Sequence, residues 1–408
     1  MATDLERDTR AWNDLAQVVP LPGAFVDVSA LDENIGWIDD CVKSPRTIRV
    51  ATKSIRVPEI LNRIALRSRK VKGWMTFSAK ETEFLAQQGF DDFLLAYPVF
   101  HKTDIQAILN VLHLRKTLYL VVDSQEGLDR INTALESQTP ESYQTLKIIV
   151  EFDCHYSLGF LSLGVKRSPL KKVEDVIEFI QLIRTRYPRL KFGGIMAYEA
   201  VSAGVGDKSL EYPLRNAALK GIRKLALQKF QSQREQLHLW LAKNQISYSV
   251  FNGGGTGDVN WVGEEKSLTE VTVGSGYLCG HLFSTYSNLK LKPAIFIGTQ
   301  VVRVPGPDTV TVLGGGFVAS GVPGWDRLPR PVFDHQFLYD KNEGAGEVQT
   351  PFRFHGELSK PPKHGDIIFL RPAKSGEIAE RFSEYQLVQN GKAVARAPTY
   401  RGMGQCFF

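Results

Sequence analysis

Two glycine-rich turns lie close together late in the chain, FNGGGTGD (251–258) and TEVTVGSGYL (269–278), each following a short run with strand character. Backbone without Cβ atoms can bring several N–H groups onto one anion at no steric cost. Two such turns on neighbouring strands would converge on a single phosphate. A lysine, Lys53, stands in IRVATKSIR (48–56), at the end of an earlier strand-like run. Taken alone, a lysine there is a surface charge. Facing a two-turn anion cradle, its amine becomes a candidate for Schiff-base chemistry. A lysine with a phosphate cradle is how a protein holds pyridoxal phosphate.

These groups meet only if the strand order brings them together. Apolar, β-branched or aromatic runs followed by helical patterns occur at 47–51, 73–77, 92–96, 117–122, 147–153, 192–198, 247–252 and 269–274. The two glycine turns follow the seventh and eighth runs, and Lys53 follows the first. ETEFLAQQG closes on Gly89, a C-cap residue. Residues 173–187 carry a 3.6-residue apolar spacing, and 214–243 read as one long amphipathic helix. Strand alternating with helix predicts a parallel sheet, and eight repeats over about 230 residues suit closure into a (β/α)8 TIM barrel. Active sites of that fold sit at the C-terminal mouth, and the loops after strands seven and eight commonly hold phosphate. A doubly wound open sheet is the rival architecture. Beyond residue 286, short strand candidates at 295–304, 309–313, 366–370 and 385–389 alternate with Gly/Pro turns. They predict an all-β C-terminal domain over 287–408, with the barrel spanning 21–286. Residues 1–20 are expected to form a short helix or to pack on the β-domain.

With 408 residues, 43% of them hydrophobic, the chain can bury two cores. The net charge of +6 is spread thinly, and the densest basic run, RSRKVK (67–72), lacks interleaved aromatics. It reads as a solvated helix face rather than a nucleic-acid surface. Cys41, Cys154, Cys279 and Cys406 are far apart and form no CxxC pair, so neither a zinc ribbon nor a disulfide framework is indicated. No signal-peptide pattern opens the sequence, and no run is apolar enough to span a membrane. The expectation is a cytoplasmic enzyme with a small-molecule substrate and no nucleic-acid or membrane partner.

The ordered set ATK (51–53), FSAKETEFLAQQGFDDFLLAYPV (77–99), VVDS (121–124), GGIMAYE (193–199), NGGGTG (252–257) and TEVTVGSGY (269–277) resembles one family. The chain is similar to the fold-type III pyridoxal-phosphate enzymes of the alanine racemase superfamily, on the branch of D-threonine aldolase and D-serine dehydratase. GVKRSPL (164–170), MAYEAVSAGVGD (196–207), GEVQTP (346–351) and AKSGEIAERF (373–382) resemble an amino-acid-deaminase-like subgroup of it. The resemblance implies that Lys53 is the Schiff-base lysine. It implies a phosphate cup of Gly254, Gly255, Thr256, Gly274, Ser275 and Tyr277, with Asn252, Gly276 and Tyr198 beside the cofactor. It also implies a homodimer, in which one subunit's β-domain closes the other's barrel mouth. Buried in such an interface, the aromatic end PTYRGMGQCFF (398–408) would not expose Tyr400, Phe407 and Phe408.

The departures from that family carry information. Its aldolase and dehydratase hold a divalent metal with a histidine and a second ligand two residues on, in the β-domain. The counterpart here, RPAKSGE (371–377), puts Lys374 and Gly376 at those places, and neither is a usable ligand. A metal is therefore not expected, and Lys374 becomes a candidate donor to substrate oxygen. His335, His355 and His364 have no spaced partner. Where the aldolase has a histidine base after the sixth strand, this chain has Val201, with Tyr198 and Glu199 on the same loop. Glu199 reads equally as a base, a receptor for a substrate ammonium, or a salt bridge to Arg49 or a neighbour. His155, two residues from Asp153 at the end of the fifth strand, reads as an acid–base group or as a structural hydrogen bond. The expected function is a lyase for a small D- or β-hydroxy amino acid, by Cα–Cβ cleavage or by β-elimination with release of ammonia. A racemase and a non-catalytic pyridoxal-phosphate carrier are the alternatives.

Overall fold

The computed structural model describes residues 12, 16–17, 19–139, 143–158, 161–163, 167–200, 206–208, 213–332, 337–354 and 361–407. Eight parallel strands close into a barrel: Thr47–Ala51, Val71–Thr76, Phe93–Leu95, Leu118–Val122, Lys147–Glu151, Lys191–Ala197, Val250–Gly253 and Glu270–Val273. These are the eight runs expected from the sequence, so the closed barrel and not the open sheet is the architecture. The last strand pairs with the first, Glu270 opposite Thr47 and Val273 opposite Val50. That pairing brings the Lys53 turn beside the second glycine turn.

Local chemistry sets the helices between strands. Ser78 caps Ala79–Gln87 by accepting the Glu81 amide, and the Ser124 hydroxyl caps Gln125–Glu136. Gly89 takes a left-handed φ of 93° past the end of the former helix, as a C-cap glycine does. The expected long helices are Val173–Arg186 and Pro213–Lys243. After the seventh and eighth strands the chain makes only the short helices Val259–Val262 and Ser275–Leu278, and Val28–Cys41 packs over both.

Alternation sorts the strand side chains into two cores. Leu94, Tyr119, Val121, Ile149, Met196 and Val250 fill the barrel interior, while residues such as Ile48, Val50, Leu120, Ile148 and Val150 face the helices. One arginine is buried at the barrel floor. Arg49 donates to Glu270 through Nε (2.6 Å) and Nη2 (2.9 Å), and to the carboxylate and carbonyl of Asp92 (2.8 and 2.6 Å).

The second sheet is built from Ile295–Gly306, Thr309–Leu313, Arg330–Pro331, Phe337–Tyr339, Gln349–Phe354, Ile367–Arg371, Glu384–Gln389 and Lys392–Pro398, with one strand from the other end of the chain. Gly23–Asp27, given to the barrel by the expected boundary at residue 21, runs antiparallel to Ile295–Gly306 and parallel to Glu384–Gln389. Its inward Phe25 sits with Phe296, Phe369 and Trp12 in an aromatic cluster, with Trp12 edge-on to Phe296 at 5.1 Å. Of the first 20 residues, Trp12 and Ala16 thus lie against this sheet. Among the described residues no helix is long and apolar enough to cross a membrane.

Candidate active site

Carrying each inward row to the end of its strand, or one step past it, puts Lys53, Asp123, Glu151, Tyr198, Gly254 and Gly274 around the C-terminal mouth. Lys53 lies in the turn Thr52–Ser54, with an exposed side chain whose Nζ is 3.3 Å from the Tyr97 hydroxyl.

The second sheet clamps this turn from outside. Arg56, at φ 55°, donates from Nε to the Lys53 carbonyl (3.0 Å) and pairs through Nη1 with Glu380 (2.6 Å). The Ser375 hydroxyl donates to the Ser54 carbonyl (2.8 Å). A Cβ on Gly376 would collide with the Lys53 carbonyl, so glycine there permits the close packing. RPAKSGE is therefore a buttress of the lysine turn. Lys374, expected to donate to substrate, instead donates to Ser320 O (2.7 Å) and Oγ (3.0 Å), with Glu377 at 3.5 Å. Its ammonium is already paired within the second sheet's own loops.

The glycine turns meet each other and the lysine turn. Gly274 lies so close to the end of the first strand that a Cβ would come within 2.8 Å of Ala51 Cβ and Ser54 Oγ. The Ser54 and Ser275 hydroxyls are 3.1 Å apart, and the Gly276 amide donates to Thr256 Oγ1 (3.0 Å). Gly254, at φ 79°, donates its amide to Glu199 Oε2 (2.6 Å), and Gly255 to Asp258 Oδ1 (2.8 Å). Two of the amides expected to bind phosphate are thus held by carboxylates, because an unpaired N–H in this buried turn would be costly. Thr256 and Ser275 each open a short helix, where the first amides have no intrahelical acceptor. An amine, neighbouring hydroxyls and those amides on one rim are the donor set that an aldehyde and a phosphate require.

Tyr277, expected in the cup, and Asn252, expected beside the cofactor, have side chains turned away from the mouth. Tyr277 is fully buried in the outer core, because the turn of Ser275–Leu278 sends its ring toward Val28–Cys41. Asn252 is one layer below the mouth, donating to Glu270 Oε1 and Thr272 Oγ1 (both 2.8 Å), and props the ion-paired floor.

Tyr198 is half-buried, with Arg167 over its ring at 5.4 Å; burial pushes its hydroxyl up to about 12. Glu199 forms the salt bridge expected as one of its readings, and the partner is Arg234 rather than Arg49. Arg234 and Glu199 are fully buried, and Arg234 also holds Glu265 (2.6 Å). Glu199 therefore fixes the first glycine turn and does not face the open mouth as a base. The His155 amide donates to the Asp153 carbonyl (2.8 Å), and Lys229 donates to the His155 carbonyl (3.1 Å), so its backbone is held beside Asp153. His364 is exposed, while Val201, His335 and His355 lie outside the described residues, as does Phe408. Two aromatics of the chain's end are covered by the chain itself. Tyr400 is buried, and Phe407 packs on Phe77, Phe84 and Tyr400.

Sequence reasoning passed over Asp123, Glu151, Arg167 and Glu81. The first two were legible as the next inward positions after Val121 and Ile149. Glu81 is fully buried behind the lysine turn, accepting the Phe77 amide (2.8 Å) and the Tyr400 hydroxyl (2.9 Å). Burial pushes its carboxyl from 4.5 up to about 7, against the opposing pull of those donors and Arg56. A raised carboxyl pKa gives stability present below about pH 4.5 and lost as pH rises through 7. Wild type should therefore lose up to about 3 kcal/mol relative to Glu81→Gln between pH 5 and pH 8. Denaturant melts across that range measure it, and parallel pH profiles would refute it.

The sequence profile of the alanine racemase N-terminal domain matches residues 26–279. No curated protein sequence matches the chain. Among solved structures it is similar to D-threonine aldolase from Filomicrobium marinum, at 17% identity and TM-score 0.76, over 95% of this chain and 96% of that one. D-threo-3-hydroxyaspartate dehydratase from Delftia sp. HT23 follows at 15% and TM-score 0.69, over 94% and 98%. Alanine racemase from Clostridium difficile 630 superposes at 16% and TM-score 0.60, over 93% and 98%.

Proposed function

The chain belongs to the family of the alanine racemase N-terminal domain, and from that premise we propose that it is a pyridoxal-phosphate-dependent lyase of a small D- or β-hydroxy amino acid. The observation that carries this reading is the meeting of the Lys53 turn with the glycine turn at Gly274, the two serine hydroxyls 3.1 Å apart. The aldolase and dehydratase likenesses favour Cα–Cβ cleavage or β-elimination over racemisation.

The cofactor, when bound, supplies an electron sink for bonds at the substrate's Cα. Lys53 would hold its aldehyde, and the amides and hydroxyls of Thr256 and Ser275 would take its phosphate. Gly254, Gly255 and Gly276 shape the turns that aim those donors. The Lys53 amine, with the Tyr97 hydroxyl 3.3 Å away, would be placed to take or return a proton at the substrate's Cα. Tyr198, kept neutral by burial, is a hydrogen-bond donor on the same rim.

We assign no divalent ion to the reaction, on the ligand argument: Lys374 and Gly376 stand where the aldolase and dehydratase ligands are implied. Loaded protein should convert members of a panel of D- and L-amino acids to an aldehyde or to ammonia, and the conversion should survive dialysis against chelator. Loss of optical rotation without aldehyde or ammonia would favour racemisation. No reaction and no spectral change with any amino acid would favour the carrier. Restoration of dialysed enzyme only by manganese or zinc would overturn the ligand argument.

The assembly we propose is a homodimer, on a different motive from the aromatic end. Val318, Val322 and Trp325 are exposed along one loop beside Ser320, on the side of the second sheet that buttresses the lysine turn. Contiguous exposed apolar residues of this kind mark interaction surfaces. Sedimentation at micromolar concentration should give a dimer, and Trp325→Asp a monomer; an active wild-type monomer would refute it.

A further inference from the structure

Three carboxylates gather on the mouth at the ends of the fourth and fifth barrel strands: Asp123 and Glu151 on the inward rows, and Asp153 two residues on. Glu151 is 7% exposed and Asp153 4%, and both Asp153 carboxylate oxygens are buried without a hydrogen-bond partner. The three lie close enough for Asp123 and Asp153 to oppose ionisation of Glu151. Ser168 donates to the Glu151 carbonyl (3.0 Å) and hydrogen-bonds Asp123. The cations facing them are Arg167, Lys171 and His155, and Arg167 also lies over the Tyr198 ring.

A buried carboxylate that accepts no hydrogen bond is costly even with cations nearby, so its persistence at a barrel mouth points to a ligand that completes it. We propose that Asp123, Glu151 and Asp153 are a receptor for an alkylammonium group, and that the substrate is an amino acid whose side chain carries a second amine. The inference rests on the amino-acid enzyme reading above and narrows its substrate class. In the barrel order, the lysine strand is first and the acidic strands are fourth and fifth. A substrate that presents its α-amine toward Lys53 can therefore extend its side chain across the mouth to the carboxylates.

An ammonium suits this cluster better than a metal ion. A divalent ion needs its oxygens within about 2.0–2.6 Å of one point, and among the described residues no group of three acidic, histidine or cysteine side chains is placed to hold one. An ammonium reaches its acceptors through N–H bonds of about 2.7–2.9 Å and tolerates a wider ring. Glu151, pushed up to about 7 by burial and by its two neighbours, would ionise more readily once a cation sits among them.

Calorimetry and visible spectra on the loaded protein, with D- and L-ornithine against the neutral isostere norleucine, test this. Ornithine of one configuration should bind about 10–100-fold tighter than norleucine. Asp153→Asn and Glu151→Gln should each remove most of that preference while leaving norleucine unchanged. Equal affinity for the two amino acids in wild type would overturn the proposal without any variant, as would a preference that persists in both variants. If unliganded protein shows no lysine-bound cofactor band, the enzyme reading fails as well. A normal band with no ornithine preference overturns the receptor alone.

Discussion

Replacing Lys53 by alanine should abolish the visible absorption band of the cofactor-loaded protein and lower turnover by about 10³-fold or more. Stability should hardly move, within about 0.5 kcal/mol. The contrast follows from where the residue sits. Its side chain is exposed, with the Tyr97 hydroxyl at 3.3 Å, so the fold loses little when it is cut back. The turn itself is held by backbone contacts that alanine keeps: Arg56 to the Lys53 carbonyl, Ser375 to the Ser54 carbonyl, and Gly376 against both. A band that persists in the variant would move the attachment to another amine and sink the proposed function.

The largest stability effect is expected at Arg234. This guanidinium is fully buried, donates to both oxygens of Glu265 and pairs with Glu199, which in turn accepts the Gly254 amide. Arg234→Ala leaves two buried carboxylates without their cation, and breaking a buried pair from one side costs about 3–5 kcal/mol. The damage should also reach function. With Glu199 no longer held, the first glycine turn loses its anchor and the protein should bind cofactor more weakly. Arg234→Lys should rescue little, because one ammonium cannot serve both carboxylates in the geometry of a planar fork. A loss below about 1 kcal/mol in denaturant melts would show that the triad is not the keystone assigned here.

The barrel was legible because its signals are local and repeated. Eight strand-like runs with helical patterns between them leave few alternatives, and the Lys53, Gly254 and Gly274 positions follow from counting. Side-chain partners were less legible, since they depend on residues distant in sequence. Glu199 finds Arg234 from a helix 35 residues away, and Lys374 finds Ser320. The burial of the Tyr277 ring was not legible, because a motif does not say which way a four-residue helix turns its side chains. Gly23–Asp27 was misassigned because a short strand beside a barrel reads the same whichever sheet it joins. The acidic mouth could have been seen by extending the inward rows past the strand ends.

That first strand has a consequence for how the molecule comes into being. Gly23–Asp27 pairs on one side with residues from Ile295 onward and on the other with Glu384–Gln389, so its neighbours leave the ribosome far later than it does. The barrel is in effect an insertion between two strands of the other sheet. As it closes it brings its two ends together, with the Asp27 amide on the Ala294 carbonyl at 2.9 Å. A pairing across most of the chain thereby becomes a hairpin-like contact between adjacent ends, and the entropy of closing that long loop is met by barrel formation. Synthesis order would then favour a barrel that closes before the sheet is complete, because the buttress on the lysine turn (375–380) and the strands Glu384–Gln389 and Lys392–Pro398 all emerge after it.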